Sequence, residues 1–425
     1  MQPNEAKLAD VLFRNAKALT GADLHIAVRG GRIVSTDDPE YPSKEVVDCL
    51  GHIAAPPFTN AHTHSAMTLF RGWGDDMPLH AWLNERIWPA EGRMTPDDVY
   101  AGARLACLEM IMSGTVFFND MYWFPQATVQ AALDCGMRAC ISGVLIDLFD
   151  PESARRQRDE AARFVESNMG RDPRLTLAIG PHAIYTVSEE SLVWCAEYTR
   201  RKGIQVHIHL SETSKEVEDC RSQHGLSPVE YLDRIGFLGP NVVAAHCVWL
   251  SDNDVRLLSE NQVTVAHIPV SNAKLAVGEE FSLPRLREAG VRVLLGTDGA
   301  ASNNSLDMFG EMKFAALTQK SRAGDPLAVK AEETWESATN KGREVFGLGR
   351  SSLEIGQPAD FMLLDSSYPS FVPMHDVYSN LVYSSTGALV WGLVCDGKAL
   401  MLDRKVEWAE EAVAKAREVA DRLCF

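Results

Sequence analysis

The sequence predicts an α/β fold: a closed (β/α)8 TIM barrel with a small discontinuous β-sandwich domain built from both termini. Three observations predict it. From residue 58 onward, eight short apolar runs alternate with helical stretches, the signature of βα units. Region 58–350 exceeds the roughly 250 residues that eight such units need. Strand-like segments then return at the C-terminal end, matching those before residue 58.

The first part, 1–57, reads as small β structure: strands near 11–13, 24–28 and 32–35, with Gly30-Gly31 as a hairpin turn, and a further strand over 48–54. The barrel strands are expected at 58–61, 115–119, 139–145, 175–180, 205–210, 242–245, 263–266 and 291–295. Pro96-Asp97-Asp98 opens a helix that ends at Gly114, and Ser188-Glu189-Glu190 opens one that ends at Gly203. Further helices are expected over 308–321 and 326–346. Strands at 360–364, 389–395 and 398–402, turning at Asp396-Gly397, belong to the third part, 351–425. That part closes with a helix over 407–423.

Composition narrows the function. Of 425 residues, 46% are apolar and 23% charged, which excludes a disordered or fibrous chain. A net charge of −17 disfavours nucleic acid and anionic membrane surfaces as partners and leaves small neutral or zwitterionic substrates. No apolar run approaches the ~18 residues of a membrane helix, and residues 1–5 lack the basic start of a secretory signal, so a cytoplasmic protein is expected. Nine cysteines without close pairs read as reduced core residues.

The chemistry collects at strand C-termini, where barrel enzymes carry their catalytic groups. His62-Thr63-His64 ends the first barrel strand with two imidazoles on one face. His207-Ile208-His209 lies on the fifth, His246 ends the sixth, His267 the seventh, and Asp298 follows the eighth. Imidazoles with one carboxylate suit Zn²⁺, and Fe²⁺ equally in type. His62, His64, His209 and Asp298 are the expected ligands. His207 is expected to pack or to support a ligand, and His267 to be structural. His246 is placed to polarise water or stabilise an oxyanion. Glu212 is either a general acid/base or a helix N-terminal carboxylate. No phosphate loop, no Gly-x-Ser-x-Gly elbow and no cytidine-deaminase-type zinc signature is present.

Asn60-Ala61-His62-Thr63-His64, Met67-Thr68-Leu69-Phe70-Arg71-Gly72, His209-Leu210-Ser211-Glu212-Thr213, Ala245-His246-Cys247 and the stretch from Gly296 through Thr297-Asp298-Gly299 to Asn304 resemble the amidohydrolase superfamily. Within it, the chain is most similar to the 5′-methylthioadenosine/S-adenosylhomocysteine deaminases, with chlorotriazine hydrolases and guanine-type deaminases as relatives. The resemblance implies one Zn²⁺ at His62, His64, His209 and Asp298, with Glu212, His246 and Asp298 moving protons. It further implies that Glu91 binds ribose hydroxyls, that Trp82 lines the nucleoside pocket and that His182 contacts substrate. Relatives that hold a homocysteine carboxylate carry an arginine where this chain has Gly143, leaving Arg155 or Arg156 as the nearby cations. Ile268 and Val277 replace polar residues usual in that region. The implied activity is hydrolytic deamination of C5′-modified adenosines to inosine analogues and ammonia, by a homo-oligomer. Two alternatives stand beside it: another amino-heterocycle (guanine, pterin or s-triazine), or a catalytically inactive scaffold.

Overall fold

A computed structural model describes residues 8–77, 79–278 and 280–424; residues 1–5, read above for a signal, and the side chain of His80 lie outside the described part. Eight strands form the barrel: β6 (Phe58–Thr63), β7 (Thr115–Asp120), β8 (Arg138–Leu145), β9 (Leu175–Pro181), β10 (Gln205–Leu210), β11 (Val242–His246), β12 (Thr264–His267) and β13 (Arg292–Leu295). They follow beforehand β1 (Ala9–Lys17), β2 (Asp23–Arg29), β3 (Arg32–Ser35), β4 (Ser43–Asp48) and β5 (Ile53–Ala55), and precede β14 (Phe361–Leu364), β15 (Val390–Cys395) and β16 (Lys398–Met401).

The barrel strands neighbour one another in chain order and pair in parallel. The seam between β13 and β6 is sealed by bonds around the site itself. The N–H groups of Thr297 and Asp298 donate to the His62 carbonyl at 3.1 and 3.0 Å. The Asn60 side chain clasps Thr297, donating to Oγ1 at 2.7 Å and accepting from its N–H at 3.1 Å. Gly296 makes the approach possible, since a Cβ there would lie 2.7 Å from the His62 nitrogen. The closure thus delivers Asp298 to the two histidines of β6.

The terminal strands form one connected sheet in the order β16-β15-β14-β5-β1-β2-β3, with β4 also on β1. The antiparallel β5·β14 ladder joins the two chain ends. The strand expected over 48–54 falls mostly on a turn through Leu50 (φ 53°) and Gly51 (φ 79°), which separates β4, ending at Asp48, from β5, starting at Ile53. Strand β4, over Ser43–Asp48, was not expected, because its polar sequence SKEVVD, covering an exposed edge, gives little apolar signal. The helix expected over 326–346 divides, into Ala331–Ala338 and Asn340–Val345, at Thr339. Helices Pro96–Met112 and Glu189–Lys202 open where expected, capped by Thr95 and Ser188, the second ending on left-handed Gly203. The last helix, Ala409–Cys424, packs on the barrel helix Pro96–Met112, where Arg422 pairs with Asp98 and Arg104 with Glu411.

Candidate metal centre and its pocket

His62, His64, His209, His246 and Asp298 converge at the C-terminal mouth of the barrel. The His64 Nδ1–H donates to the Met121 carbonyl at 2.5 Å, and the His209 Nδ1–H to the His182 carbonyl at 2.8 Å. A carbonyl can only accept, so each ring in its neutral form turns an unprotonated Nε2 inward. Those two nitrogens face each other at 3.2 Å. His62 is braced from behind by His207, Nδ1 to Nε2 at 2.7 Å, while its buried Nε2 has no hydrogen-bond partner among the described residues. That contact is the supporting role anticipated for His207.

Asp298 supplies the charge. Its Oδ2 accepts from the Ser271 and Ser302 hydroxyls at 2.7 and 2.8 Å, which turns Oδ1 toward His62 and His64 at 3.4 and 3.2 Å. Burial opposes its ionisation, but the two imidazoles outweigh burial and hold the carboxyl well below its ordinary range. Burial pushes His62 down to about 3, and pushes His209 well below its usual value too. His64 is also buried, yet the adjacent Asp298 lifts it to about 9. Once a cation displaces the proton that Asp298 keeps on His64, three inward nitrogen lone pairs and one anion, shielded from water, form a donor set that a Zn²⁺-like cation fits.

Glu212 sits just past β10, its backbone N–H bound by the Glu216 carboxylate at 2.8 Å. Its Oε2 lies 3.8 Å from His246 Nε2. The His246 Nδ1–H donates to Asn272 Oδ1 at 2.8 Å, so the neutral ring presents Nε2 as a proton acceptor. His267, buried and stacked on Phe281 at 3.7 Å, packs in the core as anticipated.

A cavity of about 130 Å³ lies over the cluster, lined by Trp82, Glu91, His182, Glu212 and His246 among others. It shares Glu91, Tyr122, Trp123 and His182 with an outer groove of about 1030 Å³. Tyr122 and Trp123, which nothing in the motifs singled out, donate to Glu91 at 2.7 and 3.2 Å. Burial raises the Glu91 carboxyl above its ordinary range despite these donors. His182, held by Thr186 at 2.8 Å, is pushed by burial down to about 4. Arg156 is exposed on the helix Pro151–Asn168 and lines the outer groove; Arg155 lines neither cavity, while Arg163 does line the groove. A Cβ on Gly143 would meet the Ala161 Cβ at 3.1 Å, so an arginine there would require that helix to move.

Residues 53–400 match the Amidohydrolase family. The chain belongs to that family. Among amidohydrolase relatives, a 5-methylthioadenosine/S-adenosylhomocysteine deaminase of Archaeoglobus fulgidus is 43% identical over 97% of this chain and 99% of its own. A 5′-deoxyadenosine deaminase of Methanoregula boonei is 46% identical over 89% and 86% of the two chains. The crystal structure of an adenosine deaminase from Xanthomonas campestris with bound zinc superposes with a TM-score of 0.90 at 32% identity, covering 98% of this chain and 99% of that one. A zinc complex of an atrazine chlorohydrolase from Arthrobacter aurescens, 21% identical at a TM-score of 0.88 over 96% of this chain and all of its own, shares the amidohydrolase fold.

Proposed function

We propose that this amidohydrolase is a zinc-dependent aminohydrolase acting on adenosine derivatives modified at C5′: 5′-methylthioadenosine, 5′-deoxyadenosine and S-adenosylhomocysteine. One observation carries the reading. Two backbone carbonyls and one ring-to-ring bond gather the Nε2 atoms of His64, His209 and His62 into one cluster, with the Asp298 carboxylate 3.2 and 3.4 Å from those of His64 and His62, in a chain 43% and 46% identical to relatives named as deaminases of these nucleosides. The ligands would be His62, His64, His209 and Asp298. A bound Zn²⁺ would supply hydroxide at neutral pH by lowering the pKa of water toward ~7.

The side chains would do the rest. Asp298, with Oδ2 occupied by two serine hydroxyls, takes up the proton of water at Oδ1 and later passes it to the departing ammonia. Glu212 protonates N1 of the purine as C6 becomes tetrahedral. His246 takes the remaining hydroxyl proton of the adduct at Nε2; the resulting imidazolium, still tied to Asn272, stabilises the oxyanion, and as ammonia leaves and C6–O becomes a carbonyl that proton returns to Glu212, 3.8 Å away. Glu91, with one donor already on each oxygen, holds the ribose hydroxyls with its remaining lone pairs. Trp82 and His182 wall the pocket, and Arg156 stands at its outer rim.

The barrel, 58–350, would carry this chemistry and the composite domain, 1–57 with 351–425, would brace it. All nine cysteines are free, which fits a reducing cytoplasm. Among the described residues no helix is long and apolar enough to cross a membrane. A small-molecule nucleoside would be the partner, in a chain that self-associates as its family leads one to expect.

The test combines metal analysis with ammonia release from an adenosine panel, for the parent and Glu212→Gln. Stoichiometric zinc in both, activity in the parent and a ~10²- to 10⁴-fold lower kcat in the variant are expected. Activity within twofold of the parent would reduce Glu212 to a helix-end residue. Among substrates, 5′-methylthioadenosine and 5′-deoxyadenosine should exceed S-adenosylhomocysteine in kcat/KM, since Gly143 offers its carboxylate no bidentate partner. S-adenosylhomocysteine ranking first, with Arg155→Ala and Arg156→Ala harmless, would reverse that order.

A further inference from the structure

Glu216 is buried and takes no part in the steps above. Its two oxygens accept from consecutive backbone groups: Oε1 from the Ser211 N–H and Oε2 from the Glu212 N–H, each at 2.8 Å. These N–H groups precede the helix Ser214–His224, whose cap is already supplied by the Thr213 hydroxyl accepting from the Glu216 N–H. The helix therefore does not need this carboxylate as its cap. What needs it is the turn. Ser211 has φ +50°, a left-handed conformation that a non-glycine residue keeps only when its surroundings hold it.

The Ser211 carbonyl is held as well, accepting from the N–H groups of Val248 and Trp249 at 3.0 and 2.9 Å. Those residues lie just past His246, which itself has φ +69°. The backbone around Ser211 thus fastens the turn after β10 to the turn after β11. These two turns carry Glu212 and His246, whose Oε2 and Nε2 stand 3.8 Å apart.

We propose that Glu216 is a positioning residue: its carboxylate locks the Ser211–Glu212 turn and so aims Glu212 at the substrate ring nitrogen, opposite His246. The role rests on the deaminase reading above. Glu216→Gln keeps the shape but replaces one acceptor oxygen by an amide NH₂, which faces an N–H it cannot bind. A kcat ~10- to 100-fold lower is expected from the misplaced acid, with KM within ~3-fold and zinc content unchanged. In a Glu212→Gln background the same substitution should cost nothing further, because the group it aims is gone. Amide hydrogen exchange at Ser211 and Glu212 should quicken in Glu216→Gln, a readout independent of activity.

An unchanged kcat, an equal loss in both backgrounds, or unchanged exchange at 211–212 would each overturn the proposal. If Glu216→Gln fails to fold, Glu216→Asp, one methylene too short to reach both N–H groups, carries the same comparisons with the carboxyl group retained. A parent that deaminates no adenosine would sink the deaminase reading and the aiming role with it. The exchange measurement would still separate that failure from a failure of Glu216 to hold the turn.

Discussion

Two carboxylates lie buried at opposite ends of this molecule, and they are treated oppositely. Asp360, just before β14, is fully buried between two guanidinium groups. Arg138 at the start of β8 donates to it at 2.9 and 3.1 Å, and Arg343 at 2.7 Å, while the Asp396 N–H adds a bond of 2.7 Å. Asp298, at the catalytic mouth, has imidazoles as its ion-pair partners. One cluster carries its own compensating cations; the other converges on a point where an external cation fits. Asp360 joins the terminal sheet to the strand-N-terminal end of the barrel, the face that barrels use for stability, whereas Asp298 stands at the face they use for chemistry.

The sharpest break in that comparison comes from removing each charge in turn. Asp298→Asn should lower bound zinc and cut kcat by ~10² to 10⁴ while leaving the fold intact. Measured zinc at parental stoichiometry together with parental kcat would show that the mouth cluster is not the metal site. His209→Ala should likewise lose zinc, and exposed His224→Ala should keep it.

Asp360→Ala should do the reverse. It strands two buried guanidinium groups, a loss of ~3 to 5 kcal/mol in stability, while the folded fraction keeps the parental kcat. Urea unfolding read beside kcat checks both halves. A variant as stable as the parent would mean that Arg138 and Arg343 find other partners.

A smaller effect concerns the ribose. With Glu91 buried, a 2′-deoxy substrate leaves one acceptor direction unpaired, so kcat/KM should fall ~5- to 150-fold. Equal rates for the two sugars would remove Glu91 from ribose binding.

The smallest expected effect is on pH. Asp360 is desolvated, but its two arginines hold it below its ordinary range; its contribution is complete above ~4 and is lost as pH falls through the folded value. Glu311 has the opposite sign. Burial lifts it from 4.5 to about 8 although Asn303 and the Val270 N–H donate to it, so its folded form holds a proton that the unfolded chain has released. Stability should therefore decline as pH rises from about 4.5 to 8. Burial lifts Glu216 to about 8 as well, so Glu311→Gln should reduce that decline without abolishing it, as unfolding at pH 5 and pH 8 would measure; an unchanged slope would assign it to other groups.

Much of this was legible in the chain because it is local. Each barrel strand is a contiguous apolar run, and His62, His64, His209, His246 and Asp298 each fall at or just past the end of one, so period and position alone placed them at one rim. The helix openings at Pro96 and Ser188 were equally visible. Strand β4 was not, because a polar edge strand takes its hydrogen bonds from a distant partner and leaves no alternation in its own sequence.

The sequence by itself determined the barrel's strand count, the identity of the chemical groups and the end of the barrel they occupy, since these follow from residue type and spacing within single elements. Only the tertiary structure decided which atoms face inward. The tautomers of His64 and His209 depend on carbonyls 57 and 27 positions away, Asp298 depends on Ser271 and Ser302 arriving from two short helices, and Glu91 depends on Tyr122 and Trp123. It also decided that Gly143 faces Ala161, so that a side chain there requires the helix Pro151–Asn168 to give by a few tenths of an ångström. Such facts are relations between elements brought together by the core, and no periodicity along one strand encodes them.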